Sequence, residues 1–203
     1  CGACAERRSG RRGPAGVQLR RHAGWNLAAT LEAAQLAPNP RGARQRLVLG
    51  QVKVAEKSNE IVAIPALLAM MAIEGAIVTI DAMGCQRDIA QEILNKKADY
   101  VLALKGNQGT LREDVEVFTA EQKANGFKDT KVSRHETVDG DHGRIETRTY
   151  TAIHDVDWIQ ERHDWPGLKG VVMVESTREI GDKVERETRF YISSLSADAE
   201  RQG

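Results

Sequence analysis

Three features are missing from this 203-residue chain, and each absence excludes a class. No apolar run approaches the roughly 18 residues needed to cross a bilayer, and the Arg-rich start lacks the apolar stretch of a secretory signal. A cytoplasmic protein with no membrane partner is expected. Only three cysteines occur, Cys1, Cys4 and Cys85. They form neither a disulfide framework nor a zinc quartet, so reduced thiols are expected. No P-loop, dinucleotide fingerprint, nucleophile elbow or zinc-protease motif is present. The length and the 41% apolar content suit one globular unit with a core of its own.

The formal net charge is zero, but it averages two unlike pieces. Residues 1–46 hold nine Arg, no Lys and two acids, Glu6 and Glu32. The remainder carries 20 basic and 27 acidic groups. Residues 1–45 read as a basic, weakly structured arm of Ala, Gly, Arg and Pro, with one short helix expected around Trp25 to Leu31. Such an arm either neutralises nucleic-acid phosphates or is a terminus without a role.

From Arg46 the pattern is that of an α/β unit. Arg46 to Val54 is a β-rich run with one wet face. Pro65 to Glu74 is apolar nearly all round and predicts a buried helix that starts at the proline, with Met70 and Met71 in the core. Ala76–Ile80 and Tyr100–Leu104 read as strands covered on both faces, with a helix over Gln86–Ala98 between them. A strand–helix–strand crossover makes the two strands parallel, so Asp81 and the Lys105-Gly106-Asn107-Gln108 turn meet at the edge where such sheets bind ligands. A helix over Leu111–Ala124 follows. Antiparallel strands at Lys131–Val138 and Arg144–Ile153 then flank a loop whose Asp139-Gly140 signals a hairpin turn. Further elements are a short helix at Asp155–His163 anchored by Trp158, strands at Gly170–Val174 and Thr188–Leu195, and a helix beginning at Ser196.

Asp81 is the sharpest candidate, the first Asp of the chain and an acid at a strand mouth. It could ligate a hard cation such as Mg²⁺, or simply cap the next turn. Lys105, Asn107 and Gln108 are compact donors for phosphate or base edges, or an ordinary polar turn. Alternation puts Arg144, Glu146 and Arg148 on one face, which could track a DNA backbone or form surface ion pairs. Asp139, Asp141, His142 and Glu146 resemble a metal cluster only by count, since turn chemistry accounts for the two Asp residues.

Several runs in order resemble the ISAs1 family of insertion-sequence transposases, an IS4-like, H-repeat-associated type. They are Leu49-Gly50-Gln51, Glu56 to Ile61, Thr79 to Gln86, Ala98 to Gln108, His142 to Arg148 and Tyr191 to Leu195, and the resemblance covers about Arg44 to Leu195. It implies a ribonuclease-H-like core, here residues 46–203, with an antiparallel β insertion over about 128–183. It further implies DNA-mediated transposition, in which three acids (Asp, Asp, Glu) hold two Mg²⁺ or Mn²⁺ ions. Asp81 matches the second acid, as catalytic and metal-binding residue. Lys105, Asn107, Gln108, Arg144 and Arg148 become the expected DNA contacts. The implied partners are transposon-end and target DNA and a second copy of the chain. The family's first acid lies in an Asp-Gly-Lys motif, yet no Asp precedes residue 81. Its third lies on a Trp-x-Ile-Glu-Asn helix after Leu195, which this sequence does not reach. The expectation is a chain truncated at both ends and inactive alone, or a DNA-binding remnant that occupies transposon ends without cutting. An unrelated phosphoesterase would need Glu56 or Glu60 beside Asp81.

Overall fold

A computed structural model describes residues 16–22, 26–32, 46–53, 60–128, 130–141, 144–154, 156–181 and 183–195. Among the described residues nine strands form one sheet in the order β3-β2-β1-β4-β5-β9-β8-β7-β6. They are β1 Gly16–His22, β2 Asn26–Glu32, β3 Arg46–Lys53, β4 Ile77–Ile80, β5 Asp99–Leu104, β6 Val132–Asp141, β7 Arg144–Ile153, β8 Gly170–Ile180 and β9 Lys183–Ser193. Four α-helices accompany them among the described residues, α1 Glu60–Ala69, α2 Arg87–Asn95, α3 Gly109–Ala124 and α4 Asp157–His163. β1, β4 and β5 run parallel, whereas β2 and β3 are antiparallel additions on one side and β9 to β6 an antiparallel series on the other. This is the α/β, ribonuclease-H-like core with antiparallel β strands that the resemblance implies, except that β1 and β2 come from residues 16–32, within the segment expected to be a weakly structured arm.

The core lies between the helices and one face of the sheet. Val78, Ile80, Tyr100, Leu102, Ile153, Val171 and Ile192 from the strands pack with Leu67 and Leu68 of α1, Ile89 and Ile93 of α2, Val115 of α3 and Ile159 of α4. Alternation sends their strand neighbours to the other face, where two small clusters form, Ile77–Val101–Leu195 and Ala152–Val172–Val174, each joined by Tyr191. No described helix covers that face. It is the face that carries the polar residues considered below.

Several expectations are corrected. The helix expected at Trp25 to Leu31 is strand β2, preceded by β1, because Leu27, Ala29 and Leu31 alternate with polar or small residues and find β1 and β3 as partners. Helix α1 begins at Glu60 rather than Pro65, so the proline lies inside it and forfeits the bond to the carbonyl four residues back. Because α1 stops at Ala69, Met71 is buried while Met70 is 66% exposed. Asp139 and Gly140 are strand residues, since the β6–β7 register runs on to Asp141 opposite Arg144. Residues 142–143, with the expected cluster member His142, and the helix expected from Ser196 lie outside the described residues. Glu56 and the Glu60 side chain also lie outside them. Trp158 packs edge-on against Phe118 at 5.5 Å but is 40% exposed, and the fully buried anchor of α4 is Ile159. Finally, β8 and β9 extend well beyond their apolar halves, through Ile180 and back from Lys183.

Candidate functional site

Asp81 follows β4 directly, at the carboxyl end of a strand whose neighbours are both parallel to it. It begins a single 3-10 turn, Ala82–Gly84, and its carboxylate accepts the Met83 N–H at 3.3 Å. The side chain is exposed, so the carboxylate keeps lone pairs for a ligand. The turn is pinned from β5. The Asn107 amide donates to the Ala82 carbonyl at 2.7 Å, and the Gln108 amide donates to the Cys85 carbonyl at 3.0 Å. The crossover thus brings Asp81 and the Lys105–Gln108 turn together, as expected. It uses Asn107 and Gln108 to hold the acid's own loop, however, which leaves Lys105 as the outward cation of that turn. Cys85, at the end of the loop, is fully buried, and burial pushes its thiol up to about 12, which makes it a packing residue and not a nucleophile.

A cleft of about 950 Å³ runs from Asp81 across the uncovered sheet face, past Thr79, Val101, Lys105 and Tyr191 to Arg148 and Arg189. The register explains its make-up. Tyr191 lies opposite both Ala103 and Val172, Arg189 opposite Val174, and Glu187 opposite Ser176, which in turn lies opposite Arg148. Paired residues share a face, so an apolar floor near β5 gives way to successive polar rows farther out.

The charges in those rows are mostly matched. Glu146 takes Arg148 through Nε at 3.0 Å and Arg144 through a terminal nitrogen at 3.2 Å. Glu187 takes Arg189 through two bonds, each 2.8 Å. Hydrogen bonding to Arg148 holds the Glu146 carboxyl below its ordinary range, and Arg189 does the same for Glu187. At the rim Arg112 pairs with Glu116 one helical turn away at 2.6 Å. Lys105 makes no ion pair among the described residues, although its charge reaches Glu187.

Arg144 and Arg148 share a face, as alternation predicts, and Glu146 lies between them as the ion-pair partner of both. Arg148 lines the cleft and Arg144 stands farther along β7. Arg189, Glu187 and Arg112 were not found from the sequence. The signal for Arg189 was available, because in Arg189-Phe190-Tyr191-Ile192 alternation opposes Phe190 and Ile192 of the core to Arg189 and Tyr191.

The donor set does not complete a metal centre. Among the described residues no group of three or more His, Cys, Asp or Glu side chains converges, and the other two cleft carboxylates are held by arginines. Asp81 can offer a cation one carboxylate, which is too few for two-metal phosphoryl transfer.

Comparison with known proteins gives a consistent result. A family described as "Transposase DDE domain" matches residues 42–200. A protein of Xanthobacter autotrophicus encoded in the dhlA 3′ region, with no assigned activity, is 45% identical over 75% of this chain and 50% of its own length. From Escherichia coli O157:H7, the candidate transposase YncI is 42% identical over 75% of this chain and 40% of its own length. YhhI of Escherichia coli K12, named as an H repeat-associated candidate transposase, is 40% identical over 76% of this chain and 42% of its own length. The chain thus spans half or less of each of these relatives.

Proposed function

Because the chain belongs to the transposase DDE domain family, whose general chemistry is metal-assisted phosphoryl transfer on DNA, we propose that its cleft is a DNA-handling surface of an insertion-sequence transposase. The observation that carries this reading is the joining of an exposed strand-end acid, Asp81, to Lys105, Arg148 and Arg189 within one cleft. Phosphate contacts from such side chains fix register and orientation without reading sequence. The motifs from Leu49 to Leu195, with relatives named as H repeat-associated, support the ISAs1, IS4-like branch.

Asp81 serves in this reading as one of the family's metal-holding acids, for Mg²⁺ or Mn²⁺, and Lys105, Arg144 and Arg148 as DNA contacts. Asn107 and Gln108 act on DNA only indirectly, by fixing the Asp81 turn. Residues 1–45 are basic in composition, yet their strands β1 and β2 belong to the same sheet as the Asp81 strand, so the catalytic unit of this reading takes them in along with residues 46–203. The chain by itself occupies DNA in the cytoplasm without cutting it, because among the described residues the cleft supplies one free carboxylate where the chemistry needs several.

The test is titration of the purified chain with duplexes bearing its element's ends, over a range of salt concentrations, followed by incubation with Mg²⁺ or Mn²⁺. End-preferring, salt-dependent binding without strand breakage is expected. Absence of binding at low salt would refute the DNA reading, and divalent-dependent cleavage lost in Asp81→Ala would refute the non-cutting one.

A further inference from the structure

Strand β6 ends the sheet, and among the described residues no strand pairs with its outer edge. Unpaired edges are usually blunted against promiscuous pairing, and the residues of β6 show which partner this one admits. His154 N–H donates to the Lys131 carbonyl at 3.0 Å, and the register continues without a shift from Val132 opposite Ile153 to Asp141 opposite Arg144. Main-chain groups of a strand alternate between its two sides. Lys131, Ser133, His135 and Thr137 therefore direct theirs at β7, and Val132, Arg134, Glu136 and Val138 present theirs outward.

The outward set is self-complementary about His135. In an antiparallel pairing of β6 with a second β6, centred there, Arg134 meets the partner's Glu136 and Val132 meets the partner's Val138. Both are pairs between outward-facing residues, so the ladder can form. Shifting the pairing by one residue, which moves the axis to a point between two residues, places outward groups against inward ones and breaks the ladder. Centring it on Arg134 or on Glu136 puts like charges opposite each other, which is unfavourable. Arg134, Glu136 and Val138 are exposed, Val138 by 62%. Among these ladder-compatible centres His135 is the one that sets Arg134 against Glu136, so hydrogen bonding and charge together favour it.

We infer that β6 is a self-recognition edge, through which two copies of this chain pair antiparallel about a two-fold axis at His135. The interface is isologous, as a two-fold requires. Directly opposed residues share a sheet face, so both clefts open on the same side of the joined sheet, and His135, 6.2 Å from the Tyr150 ring on that face, sits at the seam. Two DNA segments would then lie on one surface. That consequence rests on the DNA reading, whereas the pairing does not.

Sedimentation equilibrium of the full chain, without DNA, tests it. The wild-type chain is expected to self-associate. Arg134→Glu and Glu136→Arg, each checked for an unchanged circular dichroism spectrum, should each weaken association about tenfold or more, because each sets like charges opposite at two symmetric places. Mixing the two variants should restore association as a heterodimer, since every Glu then faces an Arg. The same recovery is expected for the doubly exchanged chain. This recovery also separates pairing from loss of the Arg134 stacking on Phe127, 4.5 Å away, which no mixture repairs. A monomeric wild type, association unaffected by the reversals, or a mixture that fails to recover would each overturn the proposal.

Discussion

Gly84 shows how tightly the turn that presents Asp81 is built. A Cβ at this position would lie 2.2 Å from Ile80 Cγ2 and 3.0 Å from Ile64 Cδ1, and both isoleucines are buried, so neither can swing away into solvent. Gly84→Ala must displace the end of β4 or the turn, and it is expected to lower stability by about 1–3 kcal/mol, read as a shift of the urea midpoint at constant slope. An unchanged midpoint would mean that the turn tolerates a methyl group and is looser than its contacts indicate. Asn107 acts on the same turn from outside. Its bond to the Ala82 carbonyl is solvent-reachable, so Asn107→Ala should cost only about 0.5–1.5 kcal/mol globally. Its local effect should be larger, with faster amide exchange at Gly84 and Cys85, whose N–H groups bond back to Asp81 and Ala82.

Between elements, Asp114 of α3 gathers both basic residues at the end of α4, His163 Nε2 at 2.7 Å and Arg162 Nε at 3.0 Å. His163 is 8% exposed at its side chain, so Asp114→Ala leaves a buried ring nitrogen without its partner. A loss of about 1–3 kcal/mol is expected in denaturant unfolding, whereas Arg162→Ala, at an exposed site, should cost far less. The β7 edge of the cleft adds a pH dependence. Glu146, bonded to Arg148, has a folded-state pKa below its ordinary value of 4.5. Its contribution is therefore fully present above that value and is lost as pH falls through the folded one. Thermal melts should show Glu146→Gln less stable than wild type at neutral pH, by about 1 kcal/mol or less, with the two converging in acid. The elements themselves were legible to different degrees. Strands β4 and β5 announced themselves as apolar runs bounded by Gly75, Asp81 and Lys105, and their crossover placed Asp81 correctly. The outer halves of β8 and β9 did not, because Glu175 to Glu179 and Glu185 to Glu187 are polar on both faces and become strands only by pairing with each other. Likewise the Asp139-Gly140 turn signal yielded to the register of β6 on β7, and the cleft's Glu187 lay in the stretch where no pattern marked a strand.

For the molecule as a whole, zero net charge conceals a division of labour among the cleft's cations. Glu146 and Glu187 hold Arg148 and Arg189, so a phosphate must compete with a carboxylate already in place at each, whereas Lys105 has no such rival among the described residues. The two classes should separate in the salt dependence of DNA binding, since each neutralised phosphate contributes roughly 0.9 to the slope of log affinity against log salt on a duplex. Lys105→Ala should make the slope shallower by about that amount. Arg148→Ala should change it less, because the side chain it removes was partly neutralised before DNA arrived. Glu146→Gln should act in the opposite direction, freeing Arg144 and Arg148 together, so that binding tightens and its slope steepens. A Glu146→Gln chain that binds DNA no better than wild type would mean that these arginines brace the sheet and that Lys105, with the basic first 46 residues, carries the electrostatic attraction.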